Sequence, residues 1–206
     1  MTPAEKQSAL AEIAAEIAEC RKCKLYEQRT KTVPGAGDPD AAILFIGEAP
    51  GKSEDLCGEP FVGAAGKFLD KMLESIGLAR ENIFIANVVK CRPPGNRDPA
   101  PDEVEKCWDF LDRQIEIIAP KLIATLGRHS MNRFLPGFRI SDAHGKPVRR
   151  KDGRLFLPLY HPAAALNSPG SREIHLADFA KIPAILAQIN SAPTPPSPPP
   201  EQVKPI

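Results

Sequence analysis

Apolar and polar positions fall into two rhythms along this chain. Residues 4–19 place Ala and Ile at helical spacing among Glu and Lys, which predicts an amphipathic helix. "AAILFIG" (41–47) is an unbroken apolar run and predicts a buried strand. "GKFLDKMLESIG" (66–77) returns to helical spacing and closes on Gly77. "NIFIANVV" (82–89) predicts a second strand, and a loop rich in Pro and Arg follows from Cys91 to Pro101. "DEVEKCWDFLDRQIEIIA" (102–119) predicts a helix stopped by Pro120. "KLIATLG" (121–127) predicts a third strand, with a short helix from Arg128. "RLFLPLY" (154–160) predicts a fourth strand, and "REIHLADFAKIPAILAQI" (172–189) a last helix. Strands alternating with helices imply an α/β fold: a mainly parallel four-stranded sheet covered on both faces. Residues 1–190 are expected to form one domain. From Ser191 the tail "SAPTPPSPPPEQVKPI" is proline-dense and is expected to be disordered or PPII-like.

In such sheets ligands bind beyond the carboxyl ends of the strands. Three polar signals converge on that rim: the loop after residue 47, the segment 87–97, and Tyr160–His161–Pro162. The loop "GEAPGKSEDLCGEPFVGAAGKF" (47–68) is glycine-rich and joins a strand to a helix. It matches neither the dinucleotide fingerprint nor the P-loop. It offers a carboxylate, Glu48, and an aromatic ring, Phe61, where a nucleotide site would offer lysine.

Charge adds little. The 206 residues hold 27 Lys and Arg against 26 Asp and Glu, so no global field argues for nucleic acid. DNA contact would have to come from local clusters: Lys90, Arg92 and Arg97; Arg128, His129 and Arg133; Lys146, Arg149, Arg150, Lys151 and Arg154. Each also reads as ordinary solvated surface. No stretch is long and apolar enough to span a membrane. The acidic, amphipathic N-terminal segment is not a signal peptide. A cytoplasmic monomer with reduced thiols is the expectation.

Five cysteines change the picture. Cys20-x-x-Cys23 sits where the first helix ends, Cys91 follows the second strand, and Cys107 lies on the next helix. Four thiolates from separate elements suggest a metal centre. Zinc sites made of four cysteines usually pair two short knuckles, whereas 15 residues lie between Cys91 and Cys107. An iron–sulfur cube is larger and suits ligands from distinct elements. Spacing alone leaves zinc and iron–sulfur evenly matched, with unmetallated core thiols behind. Cys57, in the glycine loop, is the spare.

"GEAPGKSEDLCGEPFVGAAGKFLDKML", "NIFIANVVKCRPPGNRDPAPDEVEKC" and "YHPAAAL", with the Cys20/Cys23 knuckle upstream, together resemble the family 4 uracil-DNA glycosylases, the iron–sulfur branch of their superfamily. The resemblance covers residues 18–185. It implies an α/β/α fold and a [4Fe–4S] cluster held by Cys20, Cys23, Cys91 and Cys107. It also implies a DNA repair enzyme that flips uracil from single- or double-stranded DNA and hydrolyses its glycosidic bond. Many relatives follow the HPAA motif with two apolar residues and an arginine; here Ala165, Leu166 and Asn167 stand there. A covalent-trapping branch carries a basic insertion with a histidine after the second strand. "KCRPPGNRDPAP" (90–101) has no histidine, which resembles ordinary hydrolytic turnover.

The resemblance assigns roles to the rim. A flipped base loses its stacking, and Phe61 can replace it; core packing is the alternative for that ring. Gly47 and its neighbours let the backbone approach base and sugar. A carboxamide presents both acceptor and donors, so Asn87 is expected to bond N3–H and O4 of uracil. His161 is expected to stabilise the negative charge that reaches O2 of the leaving base. Glu48 is expected to orient or deprotonate water rather than to exclude thymine. Ala49 occupies the place where other branches carry a catalytic Asp. A non-catalytic metal-bearing DNA-binding module and a redox or nucleotide-binding protein are the competing classes.

Overall fold

The computed structural model describes residues 1–166 and 169–191. Asn167 and the proline-dense tail beyond Ser191 lie outside the described residues. The helix α1 (Pro3–Glu19) opens on a capping box. The Thr2 side chain accepts from the Glu5 N–H, and the Glu5 carboxylate accepts from the Thr2 N–H. Leu10, Ile13 and Ile17 form its buried stripe.

One six-stranded sheet organises the chain, in the order β1–β3–β2–β4–β6–β5. The four central strands are β2 (Ile43–Gly47), β3 (Phe84–Asn87), β4 (Leu122–Leu126) and β6 (Leu155–Leu159). They run parallel. Their apolar runs made them legible. The edges are two-residue strands that the pattern did not predict: β1 (Ala36–Gly37) and β5 (Val148–Arg149), both antiparallel to their neighbours. The sheet is therefore mainly parallel as expected, with two short antiparallel edges added.

Alternation along β2 sends its side chains to two separate cores. Leu44 and Ile46 join Leu10, Ile13, Ile17, Phe110, Leu111 and Ile115 on one face. These come from α1 and α4 (Pro101–Ile118). Ile43 and Phe45 join Leu69, Met72, Phe179 and Ile182 on the other. These come from α3 (Ala64–Glu74), α7 (Pro169–Phe179) and α8 (Ile182–Ser191). The layers are α/β/α, as the sequence implied. Short helices α2 (Lys52–Cys57), α5 (Arg128–Phe134) and α6 (Ile140–Ala143) complete the connections.

Three local expectations need correction. The helix expected over 66–77 ends at Glu74, and Gly77 (φ 73°) turns the chain three residues later, where the Leu78 N–H reaches the Leu73 carbonyl. The helix expected over 172–189 is two helices broken at Ala180–Lys181. Pro183 has no N–H for a helical bond, so it fits only the first turn of a new helix. Lys90 is not a surface cation. It is 1% exposed, and its Nζ donates to the Asn87 carbonyl at 2.9 Å and to Gln114 Oε1 at 2.6 Å.

The chain passes from β2 to β3 on one side, then returns to place β4 on the other. This reversal opens a crevice beyond the carboxyl ends of the strands. Gly47, Asn87, Gly127 and His161 all stand at that rim.

Candidate active site

A cavity of about 510 Å³ occupies the crevice. Glu48, Ala49, Phe61, Asn87 and His161 line it together. Gly47 lies beneath: a Cβ there would collide with Asn87 Oδ1 and stand 2.8 Å from the Phe61 ring. Only glycine lets the carboxamide and the ring pack over the end of β2. The sequence-expected rim residues thus meet in one place.

Phe61 packs in the core and also borders the cavity. Its side chain is 6% exposed and joins the core beside α3. Its centroid lies 5.7 Å from the His161 ring. Its backbone adopts φ 54°, a costly conformation for a non-glycine residue. Two charged side chains hold it there. Arg80 donates to the carbonyls of Pro60 (2.9 Å) and Phe61, and its Nε pairs with Asp70 at 2.6 Å. Glu54 Oε1 accepts from the N–H groups of Val62 and Gly63, both at 2.9 Å. Its Oε2 accepts from the Gly51 N–H at 3.1 Å. Gly66 is also required, since a Cβ would strike the Phe61 carbonyl. Sequence reading missed Glu54 and Arg80. Glu54 carried one signal, its position three residues after the helix N-cap Gly51.

Asn87 ends β3 and is 2% exposed. Its Oδ1 is buried without a hydrogen-bond partner. Such an orphan acceptor costs about 1–3 kcal/mol, and here it lines a cavity. The backbone of Asn87 is fixed from behind by Lys90, which is in turn tied through Gln114 to the Pro34 carbonyl at 2.8 Å.

His161 caps the 3₁₀ turn Pro162–Ala165. Its Nδ1 accepts from the Ala163 N–H at 3.2 Å, so the neutral ring carries its proton on Nε2. Burial, aided by nearby His175, holds its pKa down at about 4. Near neutral pH it is an uncharged donor. His175, on α7, lies with Nε2 3.2 Å from the His161 carbonyl oxygen and supports this turn. Gly127 (φ 94°) leaves just enough room: a Cβ would stand 3.1 Å from that of His161.

Glu48 follows β2. Its Oε1 is buried without a hydrogen-bond partner. Burial raises the carboxyl above the usual range, and His129 opposes the rise. Across the opening, Arg97 forms a two-pronged pair with Glu103 at 2.8 and 2.7 Å. That pair ties the loop after Cys91 to the first turn of α4.

Residues 34–186 match the family model of the uracil DNA glycosylase superfamily. The chain belongs to that superfamily. It is similar to the type-4 uracil-DNA glycosylase of Archaeoglobus fulgidus, 50% identical over 184 residues, which cover 84% of this chain and 91% of the relative. The type-4 enzyme of Sulfurisphaera tokodaii is 50% identical over 182 residues, 84% of this chain and 83% of that protein. That of Saccharolobus solfataricus is 47% identical over 184 residues, 85% of each. Membership in a glycosylase superfamily agrees with a cavity at the strand rim that has room for a base.

A second feature of this superfamily member lies between α1, α4 and the segment that follows β3. Cys20, Cys23, Cys91 and Cys107 line one small cavity with Ile17, Leu25, Arg29, Lys90 and Phe110. Arg29 Nη1 donates to Cys91 Sγ at 3.3 Å and to the Cys20 carbonyl at 2.8 Å. The Lys90 N–H donates to Cys107 Sγ at 3.3 Å. Burial pushes the Cys107 thiol up to about 11 and raises Cys23 and Cys91. As thiolates these groups need a cationic partner between them. A mononuclear tetrahedral zinc site would hold its sulfurs about 3.8 Å apart. Among the described residues no three of these sulfurs lie within 4.8 Å of one another. Cys57 is exposed and stands apart from the four. None of the described helices is long and apolar enough to cross a membrane.

Proposed function

We propose that this chain, through residues 1–190 acting as one unit, excises uracil from DNA by hydrolysis and leaves an abasic site. The observation that carries the reading is the unpartnered, buried Oδ1 of Asn87 at a cavity with room for a flipped base. An orphan acceptor calls for a donor, and N3–H of uracil is one. The carboxamide N–H group then bonds O4. Phe61 stacks on the flipped base, an interaction typically worth about 1–3 kcal/mol. The N-terminal turn of α3, at Gly63–Ala65, borders the same cavity and suits a DNA phosphate.

The C1′–N1 bond breaks with its electron pair passing to uracil. The neutral His161 Nε2–H donates to O2, where much of that charge settles. Water attacks C1′ and gives its proton to Glu48. The raised carboxyl of Glu48 suits this task because it holds the accepted proton more firmly than a solvated carboxylate would. The test is incubation of the purified protein with an oligonucleotide bearing one uracil, followed by alkali. Strand breakage confined to the uracil position is expected. An intact strand would refute the reading.

Cys20, Cys23, Cys91 and Cys107 would hold a [4Fe–4S] cluster, whose chemistry here is structural cross-linking of α1 to the 91–107 segment. Arg29 and the Lys90 amide would hydrogen-bond its thiolates. We expect brown protein with about four irons per chain. Cys57→Ser keeps the colour, and Cys91→Ser loses it or unfolds the protein. Colourless, zinc-loaded protein from anaerobic purification would contradict the assignment.

A further inference from the structure

Glu48 stands on a wall shared by two cavities. One is the base cavity, and the other is about 250 Å³ in volume and lined by Val88, Pro99, Val104, His129, Asn132 and Arg133. The unpartnered Oε1 lies 3.8 Å from His129 Nδ1. Gly127 at the end of β4 starts α5 and delivers His129 to this spot. On its other edge, His129 Nε2 accepts from Arg128 Nε at 2.9 Å. A proton on Nδ1, the nitrogen facing Glu48, is present both in the neutral tautomer that this bond selects and in the imidazolium that can pair with the flanking carboxylates. Asp98 Oδ2 lies 3.1 Å from Nε2 and 3.7 Å from the Arg128 guanidinium.

Glu48, Asp98 and His129 could also be taken for cation ligands, since one ligand atom from each lies within 4.8 Å of the others. The Arg128 guanidinium argues otherwise. It already engages two of the three groups and brings the positive charge that a metal would supply.

We propose that His129 is the positioning residue for Glu48: its Nδ1–H closes on Oε1 and fixes the carboxylate so that the other oxygen accepts from the attacking water. This rests on the uracil-excision reading above. The gap is about 0.8 Å beyond hydrogen-bond length, and such bonds commonly tighten when substrate binds. The charged groups around the pair are Asp98 and Arg128, with Arg133 lining the second cavity and Arg97 the first, the latter engaged by Glu103. Burial and Asp98 raise the Glu48 carboxyl, while His129, and after it Arg128, oppose that rise. Glu48 accepts a proton only when ionised, so activity falls as pH drops through its pKa. Removing His129 raises that pKa and moves the acid limb to higher pH.

The experiment measures single-turnover rates on saturating uracil oligonucleotide across the pH range for His129→Leu and His129→Asn. The Asn carboxamide keeps a donor near the position of Nδ1. His129→Leu is expected to lose about 10- to 100-fold in rate, as a misplaced group would. Its acid limb should move up, with DNA affinity and unfolding midpoint unchanged. His129→Asn should recover most of the rate. In a Glu48→Gln background, His129→Leu should add nothing. Weakened DNA affinity with an unchanged rate per bound complex would overturn the proposal, as would His129→Asn as slow as His129→Leu, or a full added loss without Glu48. The Glu48 carboxyl titration, followed by carbon NMR in the free protein, needs no substrate. If it does not rise in His129→Leu, the inference fails whatever the enzyme cleaves. If it rises but wild type ignores uracil, the functional reading fails and the pairing of His129 with Glu48 stands.

Discussion

Asn87→Asp is expected to lose most uracil excision and to gain weak, measurable excision of cytosine. Uracil presents a donor at N3 and an acceptor at O4, whereas cytosine presents an acceptor at N3 and a donor at N4. The Asn87 side chain cannot adapt freely. Gly47 lies directly under Oδ1, and Lys90 grips the backbone carbonyl from behind. Its buried Oδ1 accepts from nothing in the protein. Cytosine would face that acceptor with another, and sites built on such bonds discriminate by about 10⁴–10⁵. An aspartate offers acceptors to the N4 amino group and, when protonated, a donor to N3. Asn87→Ala should lose uracil activity without the gain. The measurement is single-turnover cleavage of matched oligonucleotides carrying uracil or cytosine at one position. Full uracil activity in Asn87→Asp would remove Asn87 as the reader.

His161→Ala should slow single-turnover excision about 10²–10³-fold, the usual cost of one donor to a developing anion. DNA affinity should change little, because Nε2–H acts on charge that appears only as the bond breaks. The pH dependence follows from the depressed pKa of about 4. An ordinary histidine would lose its proton as pH rises through about 6.5. His161 is already neutral there and keeps its Nε2–H, so no fall in rate at that point should come from this residue. The acid limb belongs to Glu48 instead. A rate that declines through about pH 6.5 in wild type but not in His161→Ala would mean that an imidazolium does the work. A loss confined to binding would make His161 a DNA contact.

The central strands were legible because each is a mostly apolar run, buried apart from Leu155 at the start of β6. The rim followed from their order, so Glu48, Asn87 and His161 could be named as strand-end residues. Other features left no local trace. Two-residue edge strands carry no periodicity. Pro183 was hidden inside an apolar pattern that continued on both sides of it. Lys90 was misplaced because its neighbours Arg92 and Arg97 suggested a basic surface, while its true partner, Gln114, lies 24 residues away. The loop geometry of Phe61 depends on Arg80, whose carbonyl partners are 19 and 20 residues distant. His129 and Asp98 come from different connections and meet only in the folded chain. The cysteines were legible as four candidate ligands with Cys57 set aside, and the four line one cavity that Cys57 does not.

The central claim is hydrolytic removal of uracil through water attack at C1′, and isotope tracing tests it most directly. Reaction of a uracil-containing oligonucleotide in ¹⁸O-labelled water, quenched and trapped by reduction, reports where the oxygen goes. The account predicts one equivalent of free, unlabelled uracil and one label at C1′ of the abasic sugar, with an intact strand before alkali. Strand cleavage before alkali, a lasting protein–DNA adduct, or labelled uracil would contradict it.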